Sequence, residues 1–255
     1  MKNKCILYFH QGWTDIINCL GIITYYSNMY NITYLIMRKD AKPIIDYYTR
    51  DKNNVKLLYE DKNSILYIRH NVFQYVINNY PDLDLHDADI LGIGQHDKYR
   101  NDKYKNKNAI MSRNSKEKNF FVNLFYDCYD IPYINRIDGF KITRDKKLEN
   151  KVYNDFINKY GEDYILFHEI IKNNDNKCKN IINLNGITDN MFEYIKVLEH
   201  AKEIHLLDSV WGALIYLLDA KYKLFQDKKI VLYAKRSYTR MFTEPYILSN
   251  WIILN

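Results

Sequence analysis

The chain has 255 residues, 47% of them hydrophobic and 15% aromatic, with a net charge of +6. That apolar content excludes a disordered chain and is enough for one large core or two small ones. So mild a positive charge suits an acidic small ligand better than nucleic acid.

In chain order, the first half alternates short apolar strands with helices. Strands are expected at 4–9, 32–37, 55–59, 64–68 and 88–93, and helices at 14–29, 40–49 and 71–79. Apolar strands separated by helices imply a parallel sheet covered on both faces. Residues 96–119 are polar and read as an exposed loop, followed by a helix near 118–129. The second half repeats the plan. A helix over 147–160 is stopped by Gly161, and strands follow at 164–167, 181–184, 203–207 and 229–233. Helices are expected at 189–201 and 209–219. The order βαβαβ in each half predicts two α/β domains, 1–145 and 146–241, facing across a cleft. Residues 242–255 are expected to form a helix that returns to the first domain.

The four cysteines, Cys5, Cys19, Cys128 and Cys178, form no C-x-x-C pair. This argues for buried thiols and against zinc or a disulfide framework. No apolar run reaches the roughly 18 residues that span a bilayer. Met1-Lys2-Asn3-Lys4 leads straight into a strand, so a soluble, cytoplasmic protein without a signal peptide is expected.

Polar residues cluster after strands, where open α/β sheets bind ligands. The first cluster is His10-Gln11-Gly12-Trp13-Thr14-Asp15. Gly12 permits a tight turn or close approach of a ligand, and Asp15 or His10 is positioned to serve as a general base. The simpler alternative makes Asp15 a first-turn cap and His10 a packed strand end. In the second half, Asp208-Ser209-Val210 opens a helix, where a hydroxyl and backbone amides suit a phosphate or merely cap the helix. His168-Glu169 and Asn185-Gly186-Ile187-Thr188 end other strands and are candidate ligand contacts or ordinary turns. His168 opens H-E-x-x-K rather than H-E-x-x-H, so the zinc pair is missing. Arg69, Arg113, Arg236 and Arg240 are candidate anion contacts. The carboxylate pairs Asp82/Asp84 and Asp87/Asp89 precede a strand and read as a solvated turn, and Lys98–Lys107 reads as a solvated loop. No G-x-x-x-x-G-K-[ST] loop is present.

Together these stretches resemble the GT-B type glycosyltransferases, particularly the heptosyltransferase-like group. The chain looks still closer to short viral and marine-bacterial proteins that open with H-x-G-x-G-D-H-I. Here that motif reads His10-Gln11-Gly12-Trp13-Thr14-Asp15-Ile16-Ile17, with Thr14 and Ile16 in place of a glycine and a histidine. Ile131-Pro132-Tyr133 with Arg136, Phe140-x-Ile142-x-Arg144-Asp145, Tyr164–His168 and Leu207-Asp208-Ser209 resemble further segments in the same order. The resemblance implies two Rossmann-like domains and a nucleotide-sugar donor, UDP-, GDP- or TDP-linked, held by the second domain with Asp208-Ser209 near its phosphates, and the strand-end residues His168, Asn185, Gly186, Val210 and Arg236 are the further candidate donor contacts. It implies a glycan or other hydroxyl acceptor on the first domain near Gly12, Trp13, Thr14 and Arg69. It also implies an inverting transfer without a metal or other cofactor, with Asp15 as base. A catalytically silent nucleotide- or glycan-binding protein and a nucleotide-sugar epimerase are the competing readings.

Overall fold

The computed structural model describes residues 2–9, 11–61, 72–83, 88–93, 121–127, 129–168, 180–207, 209–233 and 251–254. The chain divides into two compact units, Met1–Lys141 and Ile142–Asn255.

The first unit is built on four parallel strands, β1 (Lys2–Phe9), β2 (Tyr30–Arg38), β3 (Val55–Glu60) and β4 (Ala88–Ile93), in the order β3-β2-β1-β4. β1 is central, and Cys5 through Phe9 are wholly buried because neighbours cover both faces. Removing Ile6, Leu7 and Phe9 from water contributes about 1.5–3 kcal/mol each. The expected strand 64–68 lies outside the described residues. The helices are α1 (Trp13–Asn18), α2 (Leu20–Met29), α3 (Lys42–Thr49), α4 (Val72–Asn79), α5 (Phe121–Asp127) and α6 (Asn135–Asp138).

One helix was expected over 14–29, and the structure makes two. At Cys19 the backbone leaves helical geometry (φ −96°, ψ 3°), and its N–H is shared between the carbonyls of Asp15 and Ile16. The break lets α2 approach α6 backbone to backbone at Gly21 and Gly139, where any Cβ would meet main-chain atoms of the facing segment within 3 Å. The Tyr48 hydroxyl lies 3.0 Å from the carbonyl oxygens of both Leu20 and Gly139, closing the same junction.

The second unit carries five parallel strands: β5 (Ile165–Phe167), β6 (Ile181–Asn183), β7 (Glu203–Leu207), β8 (Lys229–Tyr233) and β9 (Trp251–Leu254), in the order β6-β5-β7-β8-β9. α7 (Lys146–Tyr160) is capped at its start by Asp145, whose side chain accepts from Leu148 N. Gly161 ends it at φ 83°, a backbone region open to glycine. The expected helix 189–201 is instead a 3₁₀ turn, Met191–Tyr194, capped by Asn190, followed by α8 (Ile195–His200). α9 (Val210–Tyr222) is buried along most of its length. The tail corrects an expectation. Residues 242–250 of the expected helix lie outside the described residues, and 251–254 form a strand paired with β8 rather than helix. Trp251-Ile-Ile-Leu carries no period that separates helix from strand, and pairing with β8 decides it.

Arg144 joins α7 to α8, meeting Glu149 and Glu199 at 2.5 Å each, with Glu149 fully buried. On β7, His205 stacks on Phe167 at 4.2 Å and lies 3.0 Å from the Tyr233 hydroxyl and 3.1 Å from Glu203 Oε2. Burial lowers the His205 pKa from its usual 6.5, with Glu203 opposing and Lys229 reinforcing the shift. A depressed histidine stabilises the fold fully above the unfolded pKa, and that stability is lost as pH falls through the folded value. The melting temperature should therefore drop between about pH 7 and pH 5, and the drop should shrink in His205→Gln. A parent protein whose melting is flat over that range would refute this.

Among the described residues, no helix is long and apolar enough to cross a membrane.

Candidate functional site

Each sheet has one point where the strand order reverses. In the first, β1, β2 and β3 step one way and β4 lies on the other side of β1. In the second, β6 lies on one side of β5 and β7 on the other. The crevices at these reversals, at the carboxyl ends of β1/β4 and β5/β7, are where ligands enter such sheets.

Gln11 to Asp15 occupies the first crevice. The Gln11 side chain is buried and donates from Nε2 to the Ile93 carbonyl at the end of β4, bridging the reversal. Arg38, at the end of β2, donates to the Gln11 carbonyl at 3.2 Å and pairs with Asp40. Burial works against the Asp40 charge, but bonds from Arg38 and the Trp13 side chain win and lower its pKa. Gly12 has φ −71° and nothing within 4 Å of a Cβ built on it, so its backbone does not demand glycine and open space lies beside it. Thr14 and Asp15 follow in the first turn of α1, both half-buried. The N-cap residue of α1 is Gly12, which has no side chain to cap it.

Beneath α1 lies a buried polar network. Arg136, 1% exposed, donates to Asn18 Oδ1 and to the Tyr133 hydroxyl at 2.6 Å each, and Tyr126 donates to the Asn18 carbonyl at 2.7 Å. The Cys19 thiol is pushed well up by burial, with the Asp15 carboxylate adding to the shift and Arg136 opposing it. Both charges are therefore near α1. Asp15 and Asn18, three residues apart, share one helical face, so Arg136 supports the helix that carries the candidate base.

At the second crevice, His168 follows β5, is 7% exposed, and donates its N–H to the His205 carbonyl at 2.9 Å. Ser209 caps α9, with its Oγ accepting from Gly212 N at a long 3.5 Å. So long a bond is weak, and a hydroxyl held so loosely can also serve a ligand. Val210 opens the thirteen-residue helix α9, whose first-turn N–H groups favour an anion.

Asn185 and Gly186 follow β6, one strand out from this crevice, about 4.8 Å away in a sheet. They line a pocket of about 570 Å³ with Asp155, Lys159 and Tyr160 of α7 and with Tyr194, whose ring packs against Trp211 in the first turn of α9. Neither His168 nor Ser209 lines it. Gly186 has φ 65°, so here glycine is required by the backbone. His10, Arg69, Asp208 and Arg236 lie outside the described residues, as do Arg113 and Arg240. Sequence reasoning placed Gln11 in the first loop without giving it a role, and missed Arg38. A buried amide and an arginine at strand ends carry no motif, and only the adjacency of β1, β2 and β4 reveals them.

No protein-family model and no curated protein matches the chain. Among solved structures, the chain is similar over 98% of its length to a glycosyl transferase family 9 protein from Veillonella parvula, with TM-score 0.61, 10% identity and 85% of that chain covered. It also aligns with E. coli heptosyltransferase WaaC with ADP (TM-score 0.43, 10% identity, covering 98% of this chain and 90% of that one). The same enzyme with ADP-2-deoxy-2-fluoro heptose aligns at TM-score 0.41 and 11% identity, covering 98% and 92%. The likeness to the Veillonella structure is one of fold: two α/β units on parallel sheets, of the GT-B glycosyltransferase type.

Proposed function

We propose that the chain is a glycosyltransferase that moves a sugar from a nucleotide-sugar donor to a glycan or other hydroxyl acceptor. The observation that carries this reading is the placement of Asp15 at the reversal of the first sheet, in a fold similar to a family 9 glycosyl transferase. The acceptor hydroxyl lies beside Gly12 and Trp13, gives its proton to Asp15 and bonds to the sugar carbon from the face opposite the departing nucleoside diphosphate, whose bond to that carbon breaks with inversion. The donor diphosphate lies at the second crevice against the start of α9, where Ser209, backbone N–H groups and the helix dipole offset its charge without a metal. UDP-, GDP- and TDP-sugars are the donor classes to try, and the reaction is assigned to a cytoplasm, the host's if the chain is viral.

The competing silent binder is favoured by Thr14 and Ile16, which depart from the resembled motif. An epimerase would need a second acid/base carboxylate, and Asp40 at this edge is engaged by Arg38 and Trp13.

A thermal-shift panel of UDP, GDP, CDP and TDP tests the donor site. At least one should stabilise the protein, and Ser209→Ala should weaken its binding by about 1–2 kcal/mol in calorimetry. No stabilisation by any of the four, or unchanged affinity in the variant, would count against this placement. Transfer of label from the donor that binds separates an enzyme from a silent binder.

A further inference from the structure

We infer that Arg38, at the end of β2, and Asp40, in the turn after it, are positioning residues for the transfer reaction. Together they set the pose of the loop that carries Gly12 and Trp13 and leads into the helix bearing Asp15. Strand register puts them there. Tyr8 pairs with Ile36, so Arg38, two residues further along β2, stands beside the chain just past the end of β1.

Arg38 reaches two partners at once. Its Nη1 donates to the Gln11 carbonyl at 3.2 Å, and its Nε donates to Asp40 Oδ1 at 2.8 Å, with Nη2 on Oδ2. The Trp13 side chain, whose one donor is the indole N–H, bonds to the same Asp40 carboxylate. Gln11 is tied through its side chain to the Ile93 carbonyl of β4. Residues 11 and 13 are thus both held. Gly12 between them is exposed, with nothing within 4 Å of a Cβ built on it, so the polar ties on either side set its place. Its carbonyl accepts from Asp15 N at 3.1 Å and from Ile16 N at 3.0 Å, the bonds that start α1. The path of contact runs from Arg38 and Asp40 through Gln11 and Trp13 to the Gly12 carbonyl, and so to Asp15.

Fold stability does not account for this pair. The Arg38 side chain is 10% exposed and that of Asp40 42%. Burying a guanidinium costs free energy, and a partner so open to water returns little of it. What the pair secures is direction, because the planar guanidinium fork holds carboxylate and carbonyl at set angles. Direction matters at this edge. On the transferase reading, on which the kinetic part of this inference rests, Asp15 must meet an acceptor hydroxyl at hydrogen-bond distance. A displacement of about 1 Å there costs about 10²-fold in rate.

The chain has three tryptophans, so the whole protein labelled with 5-fluorotryptophan should give three fluorine resonances, and Trp13→Phe identifies one of them. Asp40→Ala and Arg38→Lys should each shift that resonance and leave the other two in place. The second arm is transfer from sugar-labelled UDP-glucose, GDP-mannose and TDP-glucose to a printed glycan array, followed by kinetics in solution on the glycan most strongly labelled. Both variants should lower kcat about tenfold or more, while the donor KM stays within about twofold and melting is unchanged. A Trp13 resonance that neither variant moves, or parent-level kcat in both, overturns the inference. So does a fall in kcat in which all three resonances move together, since that is general disruption rather than positioning. If the parent labels no glycan from any of the three donors, the transferase reading fails, and the resonance arm alone decides whether the pair sets the loop.

Discussion

Asp15→Asn is expected to lower sugar transfer by about 10²–10⁴-fold while leaving donor nucleotide affinity within about twofold. A sugar hydroxyl is a poor nucleophile at neutral pH, so a carboxylate positioned to take its proton accounts for a factor of that size. Asparagine keeps the shape and removes the base. Donor affinity should survive because Ser209 and Val210 belong to the second unit and Asp15 to the first. Helix capping makes a different forecast. A lost first-turn carboxylate costs about 0.3–1 kcal/mol of stability and leaves the rate alone. Measuring initial rates at saturating donor alongside the melting temperature separates the two. A variant that transfers at the parent rate but melts earlier would make Asp15 a cap and return attention to His10.

Gly21→Ala should destabilise the first unit by about 3 kcal/mol or more, enough to unfold a marginal domain. A Cβ at Gly21 would fall 2.1 Å from the Asn135 carbonyl oxygen and 2.9 Å from the Tyr126 hydroxyl. The first of these is backbone and cannot rotate away. To admit the methyl, α2 and α6 must separate, which disturbs the Tyr48 contacts to Leu20 and Gly139 and the Arg136–Asn18 bond. Breaking the latter would cost a buried guanidinium one of its hydrogen bonds. Gly139→Ala should act likewise, since its Cβ would lie 2.6 Å from Asn135 O and 2.8 Å from Gly21 O. Gly12→Ala is the control: nothing lies within 4 Å and φ is ordinary, so urea melts should match the parent to within about 0.5 kcal/mol. A Gly21→Ala protein with the parent's urea midpoint would mean the two helices are not packed as described.

The sequence by itself determined the alternation of elements and the loops that face ligands. Strands buried on both faces favour apolar runs, so Cys5–Phe9 stands out, Ile32–Met37 and Glu203–Leu207 follow with a polar residue or two among apolar ones, and polar residues after them mark the carboxyl edges. Gly161 was legible as a helix stop for a local reason, since its positive φ is open to glycine without cost. Tertiary structure decided what depends on a distant partner. Cys19 breaks a helix where α6 packs against the chain that follows it. Trp251–Leu254 is a strand because β8 offers an unpaired edge. Gln11 reaches the Ile93 carbonyl 82 residues away, and Arg136 holds Asn18 across 118 residues. Asn185 and Gly186 follow β6, and only the order β6-β5-β7 shows that they lie one strand from the reversal and share a pocket with α7. Periodicity reports whether a residue is buried, whereas which partner buries it is a property of strand order, and no local pattern encodes that.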